Sequence, residues 1–320
     1  MYDVIIIGGG PAGLTAGLYT SRSKLKSLLI SSAFVPSMIT TTDLLENYPG
    51  FPEGIGGFEL VERFADQAKR FGLETMHDDV SSMERATVEG VDIWRVTTGS
   101  GVYDAYALII SSGTDYAHLN VPGESEFTGR GVSYCATCDG PFYKDARLVV
   151  VGGGDTAVQE AIYLTRFARS VTIIHRRDRL RATAILAERA GANEKIGFEW
   201  NAVVREISGD DAVKAVTITN VNNPEDEKTI PADGVFIFTG NIPKTDIFKG
   251  ILDLDEKGFI IAKMDMSTSV DGVFACGDCI QKSLRQVVTA CGDGANAANS
   301  AEGYINTIKG RTYTDWENRS

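Results

Sequence analysis

The chain has only three histidines, His77, His118 and His175, and they are far apart in the sequence. Zinc normally takes four ligands from paired Cys or His motifs, so this scatter offers little from which to build a site. No apolar run approaches the ~18 residues of a membrane span. The opening stretch Met1-Tyr2-Asp3-Val4-Ile5-Ile6-Ile7 has no basic region and turns polar too soon for a signal peptide. Positive charge is in deficit: the net charge is -12, which argues against a nucleic-acid surface and for good solubility. Five cysteines in 320 residues are too few, and odd in number, for a secreted disulfide framework. A reducing cytoplasm is the expected compartment. No low-complexity segment stands out, and only the last residues, ending Asn318-Arg319-Ser320, read as frayed. The composition is otherwise ordinary for a globular protein, and the length suits two domains.

The clearest feature present is an internal echo at an offset of 144 residues. Val4-Ile5-Ile6-Ile7-Gly8-Gly9-Gly10-Pro11-Ala12-Gly13 matches Leu148-Val149-Val150-Val151-Gly152-Gly153-Gly154-Asp155-Thr156-Ala157. Each copy opens with a β-branched apolar run, the mark of a buried parallel strand. Each continues into a helix, Leu14 to Ser21 and Val158 to Phe167, and then a second strand, Ser27 to Ile30 and Ser170 to Ile174. The fold class expected is α/β, with two Rossmann-like three-layer nucleotide-binding domains. Turn chemistry marks two connectors, one after the strand Ala107 to Ile110 and one at Gly240-Asn241-Ile242-Pro243-Lys244. They flank the second repeat. The second domain, residues 114–243, is therefore read as inserted in a first domain made of 1–113 and 244–320.

In Gly8-x-Gly10-x-x-Gly13, glycines allow a tight turn and close approach of backbone to a pyrophosphate, whose charge the following helix N-terminus stabilises. One expected element is missing: the second strand ends Ile30-Ser31-Ser32, without the acidic residue usual at an adenine ribose. The second loop ends in Ala157. Where an NAD site would carry Asp or Glu, the chain reads His175-Arg176-Arg177-Asp178-Arg179-Leu180-Arg181. Arginine forks suit a 2′-phosphate, and a carboxylate there would repel it. The plainer reading of that run is a solvated basic turn.

Ahead of the second loop stands Tyr134-Cys135-Ala136-Thr137-Cys138-Asp139-Gly140. In a Cys-x-x-Cys pair one thiol often has a lowered pKa, and the pair closes a small reversible disulfide ring. Half a zinc site and two buried thiols are the bland rivals. A redox centre beside a nicotinamide-type site is the reading taken. Cys276 and Cys279 form a second such spacing, read as buried small residues in preference to an auxiliary disulfide. Cys291 is read as a buried small residue, and His77 and His118 as surface or loop groups.

These motifs together resemble the low-molecular-weight, bacterial-type thioredoxin reductases, class II of the pyridine nucleotide-disulfide oxidoreductases. The likeness runs nearly end to end. It includes Cys135-Ala136-Thr137-Cys138-Asp139, the run His175 to Arg181, and Thr40-Thr41-Thr42 with Glu46-Asn47-Tyr48-Pro49-Gly50-Phe51-Pro52. It also includes Gly272-Val273-Phe274-Ala275-Cys276-Gly277-Asp278 and Arg285-Gln286-Val287. The resemblance implies FAD in the first domain, with Gly8, Gly10 and Gly13 at the pyrophosphate and Asn47 near the cofactor. Asp278 would bond the ribityl chain, and Arg285 and Gln286 would approach the ring. NADPH would lie in the second domain at Gly152, Gly154, Ala157, His175, Arg176, Arg177 and Arg181. Catalysis would fall to Cys135 and Cys138, with Asp139 as the general acid.

The implied reaction is hydride transfer from NADPH to FAD, then reduction of the Cys135–Cys138 disulfide, which in turn reduces thioredoxin or a thioredoxin-like protein. The resemblance also implies a homodimer and connectors that act as hinges. At one place the pattern departs. Ahead of the threonines the family usually has Gly-Gly-Gln-Leu; this chain reads Pro36-Ser37-Met38-Ile39. Met38 offers no amide to a flavin. That departure motivates the alternatives: a related flavoenzyme served by ferredoxin or a deazaflavin, or a dithiol oxidase. A redox-sensing flavoprotein without turnover is a third, opposed by the intact Cys135, Cys138 and Asp139.

Overall fold

A computed structural model of the chain describes residues 1–32, 37–42, 44–88 and 90–310. Pro36 and the tail Asn318-Arg319-Ser320 lie outside them. Two compact units result: one is Met1–Asp115 with the chain returning at Ile242, the other Tyr116–Asn241.

The first unit begins with β1 (Tyr2–Ile7), α1 (Pro11–Arg22) and β2 (Ser27–Ser31). The helix starts earlier than the apolar pattern suggests, because Pro11 takes the first helical position, where its missing N–H costs nothing. After α2 (Gly57–Arg70) come β3 (Glu74–His77), β4 (Val80–Val88), β5 (Val91–Thr98) and β6 (Val102–Ile110). β1 lies between β2 and β6, parallel to both. Burial on both faces explains its unbroken run: Val4, Ile5 and Ile6 are 0% exposed.

In the second unit, after β7 (Thr114–Tyr116), the chain forms β8 (Val132–Ser133), a one-turn α3 (Ala136–Asp139) and β9 (Arg147–Val151). Next are α4 (Asp155–Leu164), β10 (Ser170–His175), α5 (Ala184–Gly191) and β11 (Ile196–Trp200). An antiparallel sheet, β12 (Ala202–Gly209), β13 (Val213–Asn220) and β14 (Asn223–Pro231), precedes β15 (Gly234–Ile237). The parallel sheet has the order β11-β10-β9-β15-β8. Its side chains alternate between two cores. Leu148, Val150, Ile173 and Phe236 face Ala157, Ala161 and Leu164 of α4. Val149, Val151, Ile174 and Val235 face Val204, Val216 and Ile218 of the antiparallel sheet. The period-2 alternation of a strand thus builds three layers from one apolar run. α4 ends at Leu164 instead of Phe167, because the Thr165 hydroxyl and the Phe167 amide fold back onto Ile162 and Leu164 carbonyls.

β16 (Asn241–Pro243) pairs with β7, so the two connecting passages form a two-stranded ribbon. Back in the first unit, β17 (Val273–Ala275) pairs with the C-terminal half of β6, and α6 (Val287–Ile308) follows. Helices α1 and α6 pack closely, since a Cβ on Gly294 would stand 2.2 Å from the Ala12 carbonyl oxygen. Among the described residues no helix is long and apolar enough to cross a membrane.

Candidate functional site

Gly8 has φ +118, and a Cβ there would lie 2.2 Å from the Ser111 carbonyl oxygen at the end of β6. A Cβ on Gly13 would lie 1.9 Å from the Gly8 oxygen. The loop therefore folds tightly onto the C-terminal edge of the sheet. Gly10 caps α1 in an extended conformation, and among the described residues no side chain caps that helix. Its first amides point outward with the positive end of the helix dipole, which suits a pyrophosphate.

The other predicted first-unit residues gather into one connected network. Gly277, with φ +78, lies against α1: a Cβ there would meet Ala12 Cβ at 2.7 Å. Next to it, Asp278 Oδ1 is buried with no hydrogen-bond partner among the described residues, the Lys282 ammonium standing 3.4 Å away as an ion-pair partner. Burial pushes this carboxyl up, against the opposing pull of Lys282 and Arg285. An orphaned buried acceptor fits a ligand hydroxyl such as that of a ribityl chain. Arg285 donates to the carbonyls of Asp278, Ile280 and Lys282 at 3.2, 3.0 and 3.3 Å, and lies 3.9 Å over the Phe259 ring. Its guanidinium fastens the turn that carries Asp278. Gln286, the next residue, accepts from Asn47 Nδ2 at 3.0 Å. Lys282 is a member that the sequence reading missed. It is half-buried and donates to Asp293 at 2.8 Å, which also accepts from the Gly277 amide at 3.3 Å. Met38 stands in a short 3₁₀ turn, where its sulfur accepts from the Thr114 hydroxyl at 3.2 Å.

The second loop repeats the first with one change. Gly152, φ +146, packs on the Phe238 carbonyl, 2.4 Å from a notional Cβ. Ala157 keeps its methyl in a fully buried place, whereas Gly13 has no room for one. Gly154 caps α4 and the Asp155 carboxylate accepts from the Thr183 amide at 2.6 Å. The His175 ring covers Gly153, whose Cβ would fall 2.5 Å from Nδ1. That ring is 4% exposed and its Nε2 has no partner among the described residues. Burial holds its pKa down, and the charges of Arg181, Arg177 and Arg176 add to the effect. Arg181 donates its amide to the Gly153 oxygen at 2.7 Å, which folds the arginine run back over the loop. Arg176, Arg177 and Arg181 are exposed, and none has a carboxylate partner among the described residues.

Cys135 and Cys138 form a disulfide across α3, with Cα atoms 5.4 Å apart. Cys135 caps that turn, and its sulfur accepts from the Cys138 amide at 3.1 Å. The same amide would stabilise a Cys135 thiolate once the bond opens. Cys138 is exposed, Cys135 and Asp139 half-buried, and Phe142 beyond them is 82% exposed. A second polar chain, unread in the sequence, adjoins the pair. Buried Glu124 accepts from Tyr134 at 2.7 Å and from the amides of Leu119 and Asn120, and His118 Nδ1 lies 2.7 Å from the Tyr134 hydroxyl. Its members lie within one short stretch of chain, but no motif spacing announces that the loop folds back to join them.

Cys276 and Cys279 are free thiols, both 0% exposed, and burial pushes both up in pKa. Cys279 points its thiol at the Cys276 and Ile110 carbonyls. These are packing residues. Cys291 differs from its expected burial. It is half-buried, because the packing of α6 on α1 and Tyr48 leaves a cleft of about 300 Å³ that Cys291 lines with Tyr48 and Leu14.

Residues 2–294 match the family described as pyridine nucleotide-disulphide oxidoreductase. A thioredoxin reductase of Listeria innocua is 47% identical over 97% of this chain and 95% of its own. One of Bacillus subtilis is 47% identical over 97% of this chain and 96% of its own. The solved thioredoxin reductase of Lactococcus lactis superposes with a TM-score of 0.92 at 42% identity, covering 96% of this chain and 100% of that one. With two Gly-rich loops, each between a buried parallel strand and a helix, and a Cys-x-x-Cys disulfide in the second unit, the chain belongs to the pyridine nucleotide-disulphide oxidoreductase family.

Proposed function

We propose that the chain is an NADPH-dependent thioredoxin-disulfide reductase. The observation that carries this is the Cys135–Cys138 disulfide, set ahead of an arginine-lined dinucleotide loop in a chain whose thioredoxin reductase relatives match it nearly end to end. Residues 1–113 and 244–320 would hold FAD, with Gly8, Gly10 and Gly13 at the pyrophosphate, Asp278 taking a ribityl hydroxyl, and Asn47 and Gln286 at the cofactor. Residues 114–243 would hold NADPH, its 2′-phosphate on Arg176, Arg177 and Arg181. When bound, the nicotinamide supplies a hydride and the flavin relays its electron pair toward the disulfide.

The chain's own residues do the rest. Two electrons and one proton open Cys135–Cys138 to one thiol and one thiolate, and a second proton from solvent later completes the partner's dithiol. Asp139 manages the proton of the thiol that is not ionised, and the Cys138 amide stabilises the Cys135 sulfur as thiolate. That thiolate attacks the partner disulfide, and the second cysteine resolves the mixed disulfide, releasing the partner as a dithiol. A thioredoxin couple near roughly −270 mV is a suitable acceptor. A homodimer and a cytoplasmic setting belong to the same reading. Steady-state NADPH oxidation with and without thioredoxin tests it. Thioredoxin-dependent oxidation is the expected result. No oxidation by NADPH, with activity from ferredoxin or a deazaflavin, overturns it.

A further inference from the structure

Ser31 ends β2 where a dinucleotide-binding unit ordinarily presents an acidic residue to the adenosine ribose. The first Gly-rich loop packs directly on it: a Cβ on Gly9 would stand 2.7 Å from Ser31 Cβ and 3.2 Å from its Oγ. β3 lies alongside β2 with His77 in register with Ser31. The Ser31 hydroxyl and His77 Nδ1 are 3.2 Å apart. The next carboxylate along the chain, Asp78, is engaged elsewhere. Its Oδ2 accepts from the Ser100 amide and hydroxyl at 2.8 and 2.5 Å, and its Oδ1 accepts from the Asp79 amide at 2.8 Å.

We propose that Ser31 and His77 together replace the missing carboxylate and bind the adenosine ribose hydroxyls of FAD. The assignment rests on the flavoprotein reading above. A carboxylate offers that diol two acceptors. When the Ser31 hydroxyl donates to His77 Nδ1, its lone pairs accept from one ribose hydroxyl and the His77 Nε2–H donates to the other. The pair thus offers one acceptor and one donor, which suits hydroxyls able to play both parts. His77 is exposed and Ser31 partly so, and among the described residues the second ring nitrogen has no hydrogen-bond partner.

The test uses the full-length apoprotein and flavin fluorescence quenching. The ligands are FAD and an FAD analogue whose adenosine lacks both ribose hydroxyls. Ser31→Ala and His77→Ala should each raise the FAD dissociation constant about three- to tenfold, the scale of one neutral hydrogen bond. The analogue should bind the variants as it binds the wild type. Adding Ser31→Glu to His77→Ala should restore FAD affinity by returning a carboxylate to the strand end. Variants that weaken FAD and analogue equally, or leave FAD unchanged, overturn the assignment. A wild type that binds neither ligand instead overturns the flavoprotein reading, before any variant is made.

Discussion

Asn47 donates from Nδ2 to Gln286 Oε1 at 3.0 Å, joining positions 239 residues apart. The bond ties the segment before α2 to the residue that caps α6, whose amide donates to Thr289 Oγ1 at 3.2 Å. Because both residues also belong to the proposed flavin site, the pair should act as a unit. Asn47→Ala and Gln286→Ala should each raise the FAD dissociation constant roughly three- to tenfold. The double variant should be little worse than the weaker-binding single, since residues sharing one bond do not add. Fluorescence titration of the four proteins measures this. Multiplicative losses would mean that each side chain acts alone.

The dithiol belongs to the second half-reaction only. Cys135→Ser or Cys138→Ser should abolish thioredoxin reduction while FAD stays bound and is still bleached by NADPH. Stopped-flow flavin absorbance and a thioredoxin assay read the two halves separately. A variant that kept substantial reductase activity would move the centre elsewhere. Cys276 and Cys279 could not supply it without local opening, because both are fully buried.

Asp278, in the proposed flavin site, sets stability against cofactor binding. Its folded pKa is raised by burial. A carboxyl with a raised folded pKa contributes its stability below the unfolded value near 3.8 and loses it as pH rises through the folded value. Ionising this partly orphaned carboxyl as pH rises through its folded value therefore costs the apoprotein stability. Asp278→Asn should raise the apoprotein Tm at pH 7 by ~2–4 °C. The gain should vanish near pH 4, while FAD affinity falls about tenfold. Calorimetry at the two pH values decides it. A lower Tm at pH 7 would make the carboxylate a structural partner of Lys282.

Much of this was legible because it is local. The runs Val4 to Ile7 and Leu148 to Val151 announce buried parallel strands, and their matching glycines announce the turns that follow. The Cys135–Cys138 ring needs only a spacing of three residues. What stayed hidden depends on how irregular loops fold back on themselves, which no regular periodicity announces. Lys282 reads as an ordinary surface lysine until Asp293 and Asp278 close on it. His118 reads as a loop residue until Tyr134 and Glu124 meet it. Arg285 illustrates a subtler limit. Its place beside Gln286 is visible in sequence, yet the direction of its guanidinium, toward three carbonyls of its own turn, depends on the path of residues 278–282.

In the proposed NADPH site, coenzyme choice would turn on Arg176 and Arg177, exposed at the end of β10 beside the His175 ring that covers Gly153. Hydrogen bonds to charged groups are worth roughly 1.5–3 kcal/mol each. Losing one phosphate-binding arginine should raise the NADPH dissociation constant about 10- to 100-fold, at ~1.4 kcal/mol per factor of ten. NADH carries no 2′-phosphate, so its binding should barely change. The Arg176→Ala, Arg177→Ala double variant should therefore lose most of its discrimination and keep its maximal rate at saturating coenzyme. Because these charges are exposed, salt should screen them, and the wild type should prefer NADPH less strongly as ionic strength rises. Arg181 differs in its setting. Its backbone amide is held by the Gly153 oxygen, a bond that Arg181→Ala keeps, so that variant should weaken NADPH and leave NADH unchanged. Kinetics with both coenzymes across a salt series distinguishes these effects. A wild type that used NADH as readily as NADPH would reduce the arginine run to a solvated turn.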